Sequence, residues 1–139
     1  MTIIEKQKQI VEEFSLFTDW MEKYEYLIEI GKALSPFPQE KKVEVNLISG
    51  CQSRVWLDAF YKEDKLFFEA DSDAIITKGI VSLLISVFSG HTPQEILDAN
   101  IDFIDQIGLK DHLSPTRANG LLSMLRKIKS TALVQMAVV

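Results

Sequence analysis

The sequence predicts an α+β domain in which a small antiparallel sheet of about three strands packs against several helices. Helix-start signals recur at Thr2, Asp19, Thr92 and Ser114, whereas apolar alternation of period two is confined to a stretch between residues 43 and 70. No repeat, low-complexity tract or long flexible linker divides the 139 residues, so one domain spanning 1–139 is expected.

Thr2 and Glu5 have the spacing of a capping box and open a helix from about Ile3 to Phe14. A second helix begins near Thr18 and Asp19 and ends near Gly31, with Trp20, Tyr24, Leu27, Ile28 and Gly31 recurring at helical spacing. Two prolines in Ser35-Pro-Phe-Pro38 forbid continuation, and the charged Gln39-Glu-Lys-Lys42 completes a connector. Strands follow over Val43 to Ile48, Arg54 to Tyr61 and Leu66 to Ala70; Val55, Leu57, Ala59 and Tyr61 mark the inward face of the second. Ser72 or Asp73 can cap a helix from about Ala74 to Ser89, apolar enough to cover the sheet. Thr92-Pro-Gln-Glu95 starts a short helix reaching about Ala99, and Ile101 to Ile107 adds a turn before Gly108. Ser114-Pro-Thr-Arg117 opens the last long helix, which carries Leu121, Leu122, Leu125, Ile128 and Leu133.

Composition removes several function classes. Fifteen basic residues against 20 acidic ones give a net charge of −5, and no basic block follows a phosphate backbone, so nucleic acid is not an expected partner. The most apolar run, Gly79 to Gly90, falls short of the roughly 20 residues that cross a bilayer. No membrane partner is expected. Met1 to Ile10 is too polar for a secretory segment, and a single cysteine excludes an intrachain disulfide, so a cytoplasmic location is expected.

That cysteine, Cys51, is the candidate reactive residue. It lies between two strand-like runs in Ser49-Gly-Cys-Gln-Ser-Arg54, whose small and polar residues suit a turn, and it reads as displayed on a loop. The thiolate is the attacking form, so an exposed thiol suits covalent chemistry, against the commoner fate of a lone cysteine as an inert core residue. Arg54 would lower the thiol pKa if it folded back, and is otherwise a solvated charge at a strand start. His91 and His112 lie beside helix starts at no metal-ligand spacing and in no protease motif. One cysteine and two isolated histidines give no closed ligand set, so no metal is expected. Glycine-rich phosphate loops are absent, and Asp71 with Asp73 fits helix capping better than an acid–base pair.

Four separated blocks resemble one family. Asp19-Trp20 with Tyr24, Leu27-Ile28 and Gly31-Lys32; Gly50-Cys-Gln-Ser-Arg-Val-Trp56; Asp71-Ser-Asp-Ala74 leading to Lys78-Gly79; and Leu113-Ser-Pro-Thr-Arg-Ala-Asn-Gly-Leu121 with Met124 resemble the SufE sulfur acceptor proteins. The resemblance implies a SufE/IscU-like fold and a partner cysteine desulfurase of the SufS type. Pyridoxal phosphate would belong to that partner, and no cofactor to this chain. Cys51 would take persulfide sulfur and pass it to an iron–sulfur scaffold complex, stimulating the desulfurase without being a stand-alone enzyme. Gly50, Gln52, Ser53 and Arg54 would support the persulfide loop. Asp73 and Arg117 lie in matching blocks as auxiliary or partner-binding residues; a helix cap is the plainer role for Asp73. For Arg117, an arginine at a helix amino terminus opposes the macrodipole and needs another reason to be there. The rival functions are a cluster scaffold, which would need a cluster shared between subunits, and a redox sensor forming a sulfenic acid at Cys51.

Overall fold

A computed structural model describes residues 1–138. Thr2 and Glu5 form the expected capping box, with reciprocal bonds of 3.0 and 3.1 Å, and open α1 (Ile3–Ser15). Its buried Ile3, Gln7, Ile10 and Phe14 fall on one face, as helical spacing requires. Asp19 caps α2 (Trp20–Lys32) by accepting the Glu22 N–H at 2.9 Å. α2 crosses α3 (Ile75–Phe88) backbone against backbone: a Cβ on Gly31 would stand 2.9 Å from the Gly79 amide nitrogen, and Gly79 itself faces the Leu27 backbone. Only glycine fits this crossing. α3 is buried on nearly every side, and its Ser82 hydroxyl donates to the Ile30 carbonyl at 3.2 Å, adding a second tie to α2.

β1 (Val55–Lys62) and β2 (Lys65–Ser72) form an antiparallel hairpin. Glu63 and Asp64 turn it with positive φ at both positions, the conformation whose twist matches the flanking strands. The register pairs Leu57 with Ala70, Ala59 with Phe68 and Tyr61 with Leu66, so the predicted inward residues share the face that packs on α3.

The expected strand over Val43 to Ile48 is reduced to a single bridge, Leu47 to Trp56, reinforced by the Ile48 N–H donating to the Val55 carbonyl at 2.9 Å. Glu44–Asn46 instead makes a 3-10 turn, and Val45 is 78% exposed. Charge explains the departure. Lys41 bonds Asp58 and Glu69 at 3.1 and 3.0 Å, Lys42 bonds Asp71 at 3.1 Å, and Lys42 lies over the Trp56 ring. These acids share the outer face of the hairpin, so the connector is strapped across the sheet rather than paired along its edge.

A second capping box, Thr92 with Glu95, opens α4 (Pro93–Asp98), followed by α5 (Asp102–Gln106) and α6 (Pro115–Val138). Lys129 of α6 donates to the carbonyls of Ile96, Leu97 and Ala99 at 2.5, 3.2 and 2.6 Å, satisfying the open end of α4 and docking the two helices. Leu27, Leu66, Leu84, Phe88, Ile104 and Leu121 meet in one continuous core between the hairpin and the helices.

Candidate functional site

The segment from Ser49 to Arg54 runs from the strap into β1 and is pressed against α6. Gly50 has φ +88, the left-handed region that favours glycine, and a Cβ there would stand 2.8 Å from the Ser123 hydroxyl. The Cys51 Sγ faces the Gly120 carbonyl at 3.8 Å, a weak S–H···O contact. Gly120 makes this approach possible, since a Cβ on it would lie 3.3 Å from Sγ. The thiol is therefore half-buried rather than displayed, and burial pushes its pKa up. Arg54 does not counter this. Its side chain is exposed and stays out of the cavity beside the sulfur.

The far end of the loop is stapled to the β2–α3 junction. Ser53 donates its hydroxyl to Thr77, a buried residue of α3, at 3.0 Å. The Arg54 N–H donates to the Asp73 carboxylate at 3.0 Å; the Arg54 carbonyl accepts from the Asp73 amide at 3.2 Å and from the Ser72 hydroxyl at 2.8 Å. Asp73 is thus a clamp on the loop and not the cap of α3, whose N-cap residue, Ala74, supplies no side-chain bond. Asp71 sits beneath, bonded to Lys42 and Lys78 at 3.1 and 3.3 Å. Burial pushes its carboxyl up, but Lys42, the Ser72 amide and Lys78 together hold it below the usual range.

A cavity of about 240 Å³ opens beside the sulfur, walled by Ser53, Thr77, Thr116, Arg117 and Met124, with Gln52 at its rim. Arg117 arrives there because Ser114 caps α6, accepting the Arg117 N–H at 3.2 Å, so the first turn of that helix faces the thiol. The structure therefore brings Gln52, Ser53 and Arg117 to the cavity beside Cys51, with Gly50 next to it on the loop, whereas Asp73 clamps the loop's exit and Arg54 takes part only through its main chain. Neither histidine lines the cavity: His112 stacks on Trp20 at 3.8 Å between ring centres, and His91 stands 3.8 Å from Glu95. Among the described residues no three His, Cys, Asp or Glu side chains converge.

Thr77, Gly120 and Ser123 touch the loop without having been singled out from sequence. Gly120 lies inside the block Leu113 to Leu121, where a glycine within a helix of otherwise ordinary propensity marks a close approach. Thr77 and Ser123 carry no comparable signal.

Fold and site together define an α+β fold built around one pocketed thiol. Residues 8–132 match the family described as SufE, Fe-S metabolism associated domain. An uncharacterised SufE-like protein of Rhizobium meliloti is 42% identical over 130 residues, covering 89% of this chain and 92% of that protein. A SufE-like protein of Synechocystis is 39% identical over 125 residues, covering 90% and 79%. The chloroplastic/mitochondrial SufE-like protein 1 of Arabidopsis thaliana is 41% identical over 92% of this chain, which spans 35% of that longer protein. A hypothetical protein of Thermus thermophilus, solved in solution, shares the fold with a TM-score of 0.78 at 22% identity over 95% and 96% of the two chains. The chain belongs to the SufE family. Membership ties it to iron–sulfur metabolism and sulfur transfer. No helix among the described residues is long and apolar enough to cross a membrane.

Proposed function

We propose that Cys51 accepts sulfur from the persulfide of a pyridoxal-phosphate cysteine desulfurase, stimulates that enzyme, and carries the sulfur to an iron–sulfur scaffold complex in the cytoplasm. One observation carries the reading: in a SufE-family chain the sole thiol opens onto a cavity of about 240 Å³ beside Arg117. The Cys51 thiolate attacks the outer sulfur of the partner's persulfide, the partner's S–S bond breaks, and its cysteine leaves as a thiolate. One S–S bond replaces another, so no oxidant is consumed. The cavity offers the transferred sulfur a seat, and Arg117 supplies positive charge close to the persulfide anion. Half-burial of the only thiol, which pushes its pKa up, limits its oxidation between transfers, because reactivity follows thiolate character and exposure. Pyridoxal phosphate belongs to the desulfurase, where it releases sulfur from cysteine.

The test is desulfurase turnover with excess cysteine and a thiol reductant. The wild-type chain accelerates it and Cys51→Ser does not, because an alcohol cannot take up sulfur. Equal acceleration by both would reject Cys51 as the acceptor.

A further inference from the structure

α6 gathers cations without a single acid. Its 24 residues include Arg117, Arg126, Lys127 and Lys129 but no aspartate or glutamate, in a chain of 15 basic against 20 acidic residues. Two of these cations are engaged elsewhere: Lys129 docks α4, and Arg117 walls the cavity beside the thiol. Arg126 and Lys127 are not, for among the described residues neither forms an ion pair. Their neighbours one helical turn away, Leu122, Ser123, Ser130 and Thr131, offer no carboxylate.

Spacings of three and four residues put Ser123, Arg126 and Lys127 on one stripe of α6, which faces the segment from Leu47 to Ser49 across a hollow of about 290 Å³. No acid lines this hollow. Its far wall is fixed, because Leu47 bridges to Trp56 and the Ile48 N–H donates to the Val55 carbonyl at 2.9 Å. Two hydroxyls join the cations, Ser49 from the loop and Ser123 from the helix. Those of Ser53, Ser72, Ser82, Ser86 and Ser130 are spent on carbonyls or on another hydroxyl, whereas those of Ser49 and Ser123 have no partner among the described residues. Four donors from two elements thus border one space that supplies no side-chain acceptor to match its charge. A planar carboxylate suits the parallel donors of one guanidinium; donors arriving from opposite walls suit the several oxygens of a tetrahedral oxyanion.

We propose that this hollow binds a phosphate group, free or carried on a small molecule, and that the bound anion ties the turn from Ser49 to Cys51 onto α6. The coupling is direct, since a Cβ on Gly50 would stand 2.8 Å from the Ser123 hydroxyl and the helix side of the site therefore abuts the residue next to Cys51. Occupancy holds the loop in its half-buried position and slows reactions of the thiol. That this restrains sulfur uptake rests on the reading of Cys51 as sulfur acceptor, whereas the binding itself does not.

The test is a titration of the isotope-labelled full chain with inorganic phosphate and, separately, with glycerol phosphate, against sodium chloride at matched ionic strength. Saturable amide shifts at Ser49, Gly50, Ser123 and Arg126 are expected with phosphate and not with chloride. Tighter binding of the ester identifies a small-molecule ligand, and tighter binding of inorganic phosphate identifies the free ion. Arg126→Ala and Lys127→Ala should each weaken binding roughly fivefold, and Arg126→Lys should lose less. With the site saturated, iodoacetamide should alkylate Cys51 several-fold more slowly. Shifts that chloride reproduces, shifts that never saturate, or an affinity untouched by both alanine variants would overturn the site. Saturated shifts with an unchanged alkylation rate would overturn its hold on the loop. Neither readout involves a desulfurase, so failure of Cys51 to accept sulfur would leave both results standing.

Discussion

Gly120 and Cys51 are separated by most of the sheet and α3 in sequence, yet the Gly120 carbonyl lies 3.8 Å from the Cys51 sulfur. A methyl group on Gly120 would stand 3.3 Å from Sγ, so that the sulfur must give by a few tenths of an ångström, and in ordinary contact at 3.7 Å with the Cys51 Cα. Gly120→Ala should therefore shift the thiol outward from α6. Alanine also favours the helix by about 1 kcal/mol, so global stability should change by no more than about 1 kcal/mol while iodoacetamide alkylates Cys51 several-fold faster. An unchanged alkylation rate would mean that Gly120 does not hold the thiol in.

Asp73→Ala removes the carboxylate that takes the Arg54 amide and leaves α3 without a lost cap. The expected loss is about 0.5–1.5 kcal/mol, together with faster alkylation of Cys51 as the loop's exit loosens. Helical content of α3, followed by amide hydrogen exchange at Lys78 and Gly79, should hold. Fraying confined to that helix would restore the capping role read from sequence.

Gly79→Ala makes a contrast, since its methyl would run into the Leu27 backbone at the α2–α3 crossing and neither helix can yield without unpacking the core. A loss of about 2 kcal/mol or more is expected in urea denaturation. Wild-type stability in this variant would show that the crossing has slack.

The raised pKa of Cys51 fixes the direction of a pH profile. Alkylation of the native protein should rise with pH to a midpoint above the ordinary cysteine value of about 8.5, and the urea-unfolded chain should titrate near that value. Because the folded value is the higher one, the associated stability is intact below about pH 8.5 and is lost as pH climbs through the folded pKa. A native midpoint at or below neutrality would show instead a thiolate held by a nearby cation.

Arg117→Ala removes positive charge from the cavity wall but no ion pair or core contact, as the side chain is exposed. Sulfur transfer or desulfurase binding should fall several-fold, and thermal stability should stay within about 0.5 kcal/mol. Parallel losses in both would make Arg117 a structural residue.

Local signals were legible where they were self-sufficient. Thr2, Asp19, Thr92 and Ser114 cap helices with partners three residues away, so the starts of α1, α2, α4 and α6 follow from sequence. Val43, Val45 and Leu47 alternate like a strand, but the ion pairs of Lys41 and Lys42 with Asp58, Glu69 and Asp71 lie far along the chain and hold the segment across the hairpin. The same distance rule governs the site. Cys51 and its small neighbours stand out locally, whereas its burial depends on Gly120 and Ser123, and the clamp that claims Asp73 depends on Arg54. Asp73 precedes an apolar helix and looks like its cap until the loop is in place.

The central claim is that Cys51 carries sulfur as a persulfide. Intact-mass spectrometry after incubation with a cysteine desulfurase and cysteine measures this directly, with Cys51→Ser alongside. A gain of one sulfur atom on the wild-type chain, removed by a thiol reductant and missing from Cys51→Ser, is the expected result. An unmodified wild-type mass while the desulfurase turns over, or the same gain on Cys51→Ser, would contradict it.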